Sequence, residues 1–157
     1  INPSIDRIQC EHIVVTGLND PKTVRAIEVA FYVGNKLGSE QLTIVEEISK
    51  QELAVNIHDD KSLRQANIKK ERMSRRERVR VKKIIESIPE NVRRDIAVRS
   101  QPIFGKRGYS IGHYAQVVRA DLLVLNAPER TTVIDRIFPH DIDYILSELP
   151  TDVLVLK

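Results

Sequence analysis

Continuous apolar runs alternating with amphipathic stretches constrain this chain more than any other feature. The runs are EHIVVTG at residues 11–17, QLTIVEE at 41–47, a shorter one at 96–99, DLLVLN at 121–126 and DVLVLK at 152–157. They are short and rich in β-branched residues or leucine. The run at 121–126 lacks the polar alternation of a half-solvated strand, as expected when both faces are covered. A helix signal lies between the first two runs. Asp20 is a good N-cap and Pro21 suits the first helical position. Val24, Ile27, Phe31 and Gly34 recur at helical spacing, Ala30, Val33 and Leu37 widen the stripe, and Gly38 is a natural stop. Strand, helix and strand within about 35 residues form a βαβ unit, which makes the two strands parallel.

The rhythm continues to the end of the chain. Residues 49–60 read as a polar helix with a connector, in which Asp59 and Asp60 suit a helix cap rather than a catalytic pair. Residues 61–86 read as a long charged helix whose later half puts Val81, Ile84, Ile85 and Ile88 on one face, and Pro89 ends it. Gly105 and Gly108 mark a loop. A helix follows with Ile111, Tyr114, Ala115 and Val118 inward. The last helix, 141–149, turns Ile142, Ile145, Leu146 and Leu149 to the core and closes at Pro150. This order predicts a Rossmann-like, doubly wound α/β fold: a five-stranded parallel sheet with four flanking helices. The 157 residues are taken as one domain, with residues 1–10 as an N-terminal extension.

A single cysteine, Cys10, excludes an internal disulfide and fits a reducing, cytoplasmic setting. No apolar run approaches the roughly 18–20 residues of a membrane span, and no signal peptide is evident. The chain starts at Ile1 rather than Met, which suggests a piece of a longer protein. Net charge is +3, but residues 61–83 hold 11 Lys and Arg against 2 Glu, so the remainder is acidic. The basic patch comprises Lys69, Lys70, Arg72, Arg75, Arg76, Arg78, Arg80, Lys82 and Lys83. A solvated helix face with Glu–Arg pairing is the plain reading. An anionic membrane surface or an acidic partner is the alternative. Nucleic acid is disfavoured, because the segment carries no aromatic residue for stacking and no DNA-reading motif.

The text resembles the universal stress protein domain from residue 11 to residue 157. RADLLVLN, then DRIF, then a helix ending in LPTDVLVLK are similar to the family's ADLIVMG strand, its Gly-rich loop with a Ser-Arg pair, and its closing APCPVLVV. HIVVTGLND is similar to the family's first strand and turn. The resemblance implies a five-stranded α/β sandwich that dimerises through the last strand, here Val153, Leu154, Val155 and Leu156. It also implies a module found both free and as the tail of transport proteins. A cytosolic part of a membrane transporter or channel is therefore one expectation.

In nucleotide-binding members the loop reads Gly, two residues, Gly, nine residues, Gly, then Ser or Thr. Those positions fall here on Asn126, Glu129, Pro139 and His140, so all three glycines are replaced. The family's first-strand Asp falls on Leu18. Pro139 removes an N–H donor, and Glu129 puts a carboxylate where phosphate oxygens would lie. Asp141 and Asp143 already occupy the positive end of the next helix. ATP bound in the family's manner is disfavoured. Arg130, Thr131, Thr132, Arg136 and His140 could still build an anion site from side chains.

The functional expectation is a non-catalytic regulatory or assembly domain, dimeric, with a degenerate ATP site and no cofactor. His12, His58, His113 and His140 show no metal-ligand spacing. Ser110 and His113 lie one helical turn apart without a nucleophile elbow, and Cys10 has no base nearby in sequence. Nothing asks for an enzyme. The alternative is a nucleotide sensor holding AMP, ATP or a cyclic dinucleotide at the carboxyl ends of the first and fourth strands. Gly17, Leu18, Asn126, Arg130, Thr131, Thr132, Pro139 and His140 would line it.

Overall fold

The computed structural model describes residues 10–54, 56–106, 109–127 and 151–157. Five parallel strands form one sheet: β1 (His12–Thr16), β2 (Gln41–Ser49), β3 (Ala97–Gly105), β4 (Leu122–Asn126) and β5 (Asp152–Leu156). Their order is β3-β2-β1-β4-β5, so the chain winds outward in both directions from β1. The order reverses between β1 and β4, and crevices in such sheets open at the carboxyl ends on either side of that point.

The pleat explains the uninterrupted apolar runs. Ile13 and Val15 of β1, with Leu42 and Ile44 of β2, enter a core under α1 (Lys22–Leu37) and α3 (Asp60–Ser87). Val14, Val45 and Leu123 point the other way, into a second core with Ile111 and Ala115 of α5 (Tyr109–Val117). Each central strand is therefore apolar on both faces. Of the four expected flanking helices, α1, α3 and α5 are described. The predicted helix at 141–149 lies outside the described residues.

Helix α1 starts and packs largely as its sequence dictates. The Asp20 carboxylate accepts the Lys22 N–H at 2.8 Å, and Gly38 ends the helix with φ 72°. Ala26, Ile27, Ala30, Phe31 and Gly34 are buried. Gly34 is needed for close approach, since a Cβ there would lie 3.0 Å from Ile96 Cδ1. Two details correct the periodic reading. Thr23 is fully buried while Val24 is only half-buried, because the Thr23 hydroxyl donates to the Leu18 carbonyl at 2.6 Å. Leu37, expected inward, is exposed, being rotated about 120° from Phe31 at the helix's last position.

The polar helix with a connector expected at 49–60 is found with a much shorter helix. β2 runs on through Ser49, a single turn α2 (Lys50–Leu53) follows, and α3 begins at Asp60. Asp59 is its cap: its carboxylate accepts the Ser62 N–H at 2.7 Å, while Ser62 Oγ accepts the Asp59 N–H at 3.0 Å. β3 also runs further than expected, through Pro102 to Gly105. It is an edge strand paired only with β2, so a proline without an N–H costs little there. A second short helix, α4 (Glu90–Arg93), links α3 to β3.

Candidate functional site

β1 ends in a turn at Gly17 and Leu18, on the crevice side of the sheet. Gly17 is hemmed in: a Cβ there would meet Ile44 Cγ2 at 2.8 Å and the Val45 carbonyl at 3.1 Å. Its N–H donates to Val45 O at 2.8 Å and is not available to a phosphate. Both carbonyls of the turn are covered from above. The Arg80 guanidinium, reaching down from α3, donates to Gly17 O and, at 3.3 Å, to Leu18 O. Arg80 Nε also donates to the Glu77 carboxylate at 2.8 Å, whose other oxygen lies 3.3 Å from Arg76 Nε.

Beneath this group lies a carboxyl that a surface-minded reading overlooks. Glu46 follows Leu42 and Ile44 on the inward phase of β2 and is 2% exposed. Ser100 of β3 donates to its Oε1 at 2.8 Å, while Oε2 meets no donor among the described residues. Burial pushes this carboxyl up to about 7, and the Glu77 carboxylate adds to the rise. The Ser100 bond and the Arg80 charge oppose it. The neighbouring Glu47 points to the opposite face, where its carboxylate accepts the Ile111 N–H of α5 at 2.6 Å. Here a strand residue supplies a helix cap.

A cavity of about 240 Å³ opens over the turn, bounded by Gly17, Leu18, Glu46, Glu47, Glu52, Arg76, Glu77 and Arg80. Its walls carry the carboxyl groups of Glu46, Glu52 and Glu77 and two arginines, while Glu47 borders it without its carboxylate, and Arg76 and Arg80 are already held by Glu77. Such walls suit a ligand that donates hydrogen bonds, such as a hydroxyl or an amino group. They do not suit a phosphate chain. Sequence reading missed Glu46 and Glu77, and it assigned Arg80 to the basic patch. A glutamate in phase with an apolar strand face, and an arginine seven residues beyond the buried Met73, are the signals that point to them.

The predicted nucleotide-lining residues are only partly placed. Gly17 and Leu18 follow β1, Asn126 closes β4, and β1 and β4 are neighbours. Arg130, Thr131, Thr132, Pro139 and His140 lie outside the described residues. The nine basic residues do not form one patch. Lys69 turns back to the Leu53 carbonyl at 2.6 Å, Lys70 sits 5.7 Å over the Phe104 ring, and Arg80 is spent on the turn. His12 is bonded to Thr43 at 2.8 Å, and Ser110 Oγ donates to the Lys106 carbonyl. Cys10 is buried, which pushes its thiol up. Among the described residues no group of three His, Cys, Asp or Glu could hold a metal. No described helix is long and apolar enough to cross a membrane.

No family model matches the chain, and no curated protein matches it in sequence. Solved structures do match. A universal stress protein in complex with cAMP superposes with TM-score 0.57 at 19% identity, over 94% of this chain and 97% of that one. The universal stress protein UspA from Lactobacillus plantarum gives 0.60 at 16% identity, over 95% and 99%. The universal stress protein from Archaeoglobus fulgidus in complex with dAMP gives 0.52 at 12%, over 96% and 99%. The fold is that of the universal stress proteins. Within that fold, Leu18 stands where the resemblance places an acidic residue, and Arg80 covers the carbonyls beside it.

Proposed function

We propose that the chain is a divergent, non-catalytic regulatory or assembly domain of universal stress protein type, with its ATP site degenerate. The observation that carries this reading is the Arg80–Gly17–Leu18 contact beside a carboxyl-lined cavity. The β1 end of the crevice is occupied by a side chain of the same protein, and the Gly17 N–H, Arg76 and Arg80 are already engaged there. Loss of the three loop glycines agrees with it. The domain is cytoplasmic and belongs to a transport protein or acts beside one. It pairs with a second copy through β5, a sheet edge whose Val155 is 45% exposed.

Nucleotide sensing is the second reading. It is favoured by the cAMP and dAMP in two of the matching structures, and by a cavity whose carboxyl walls suit ribose hydroxyls or a base amino group. A thermal-shift panel with Mg-ATP, AMP and cyclic dinucleotides separates the two. A ligand at 100 times its Kd adds about 2.7 kcal/mol of stability. No shift with any nucleotide supports the regulatory reading. A shift with AMP or a cyclic dinucleotide alone supports the sensor, and a shift with Mg-ATP overturns the degenerate site. Light scattering at micromolar concentration tests the dimer, which a monomeric mass would refute.

A further inference from the structure

The outward face of α3 is basic and apolar at once, and the turn and cavity described above make no use of it. Helix α3 has 28 residues and is about 42 Å long. Its inner side is accounted for by Ala66, Met73 and Val81, with Ile84 and Ile85 packed against the core. The outer stripe runs Arg64, Ile68, Arg72, Arg75, Val79 and Lys82, at steps of three and four residues, and every member is exposed.

The basic side chains divide into two groups with different work. Lys69, Lys70 and Arg80 turn to partners within the fold. Arg64, Arg72, Arg75, Arg78 and Lys83 pair with no carboxylate among the described residues, and Lys82 reaches Glu86 only at 3.8 Å. Intrahelical pairing therefore does not explain the outer group. Composition alone does not explain the two apolar residues either. Ile68 is 53% and Val79 49% exposed, about 16 Å apart along the axis; cations lie within a turn of each, and Glu71 is the carboxylate beside Ile68.

We infer that this face docks α3 lengthwise on an anionic lipid surface. Exposed cations beside exposed branched apolar side chains offer both attractions an anionic bilayer surface rewards, charge toward the headgroups and apolar area toward the acyl boundary. A bilayer offers continuous negative charge with an apolar layer beneath it, so it needs no pockets matched to the helix. A protein groove would need apolar anchors one turn apart, and Ile68 and Val79 are three turns apart. This inference is independent of whether the cavity over Gly17 binds a nucleotide.

The test is sedimentation of the whole chain with vesicles of phosphatidylcholine, with and without phosphatidylglycerol. Binding is expected only to the anionic vesicles, and it is expected to fall as added salt shortens the screening length. Replacing both Arg72 and Arg75 by alanine removes two exposed charges and should weaken binding about 25-fold, about fivefold for each. Both side chains are exposed, and an unchanged melting temperature shows that the variant is folded. The chain has no tryptophan, so Ile68→Trp supplies a lone reporter. Its emission should shift to the blue on anionic vesicles and stay unchanged on neutral ones. Equal binding to both vesicle types, an unaffected Arg72/Arg75 double variant, or an unshifted reporter overturns the inference. So does equally tight binding of double-stranded DNA, which would mark a general polyanion surface.

Discussion

Arg80, on α3, donates to the backbone carbonyls of Gly17 and Leu18 at the end of β1. The two partners are 63 and 62 residues from it in sequence. The contact therefore ties the basic helix to the central strand of the sheet. It gives both carbonyls a donor where they border the cavity, and it positions Glu77 through Nε.

Arg80→Ala should cost about 2 kcal/mol, the scale of losing charge-assisted bonds to half-buried acceptors, with some relief from water entering the cavity. Arg80→Lys should recover only part of this, because an ammonium cannot reproduce the guanidinium fork. Urea unfolding of the three proteins measures the effect, and an unchanged midpoint in Arg80→Ala would make the contact incidental.

Gly17 has no room for a side chain. With Ile44 Cγ2 2.8 Å from the site of a Cβ, Gly17→Ala should destabilise by about 1–3 kcal/mol through overpacking. Because Val45 O and Glu46 Cγ are both at 3.1 Å, relief must come from the β1–β2 pairing itself. Hydrogen exchange at Gly17 should therefore quicken along with the fall in stability.

Glu46 sets a pH dependence whose sign follows from its burial. Its carboxyl sits at about 7 in the fold against an ordinary 4.5. The folded state therefore holds this proton more tightly than the unfolded chain does. The stability that the proton contributes is complete below pH 4.5, declines as the pH rises, and is gone above 7. The gap corresponds to about 3 kcal/mol. Glu46→Gln cannot titrate. Between pH 4.5 and pH 8 the wild-type chain should lose about that much relative to the variant in denaturant titrations. Parallel profiles would show that Glu46 ionises normally.

Glu47 caps α5 from a neighbouring strand, so its effect should be local. Glu47→Ala should cost about 1 kcal/mol, the usual loss on removing a helix cap, and should speed exchange of the Ile111 amide above all others in α5. Glu47→Gln keeps an acceptor and should lie between the two. Uniform destabilisation without local exchange at Ile111 would rule out the capping role.

Much of this architecture can be read from residues 11–47 and 121–126. Apolar runs of strand length separated by capped helices admit few arrangements other than a parallel, doubly wound sheet. Asp20 and Gly38 mark the ends of α1 through local chemistry alone, and Asp59 marks the start of α3 in the same way. The limits of β3 were less legible. Pro102 looks like a strand breaker until β3 is known to lie at the sheet edge, and strand order is not a local property.

The candidate site shows where local reading stops. In sequence, Glu46-Glu47 looks like the polar end of a strand. The pleat sends the first under Arg80 and the second to the first turn of α5, and only the packing of two helices on opposite faces gives the pair different tasks. Arg80 likewise belongs by composition to a solvated basic run, and the fold takes it out of that run to close a turn some sixty residues earlier. Sequence by itself determined the positions of the five strands, the ends of α1 and the start of α3, and the basic segment, because those depend on periodicity and on neighbours within a few residues. Tertiary structure decided which charges are spent inside the fold and which stay exposed, because burial and long-range hydrogen bonds depend on which elements meet.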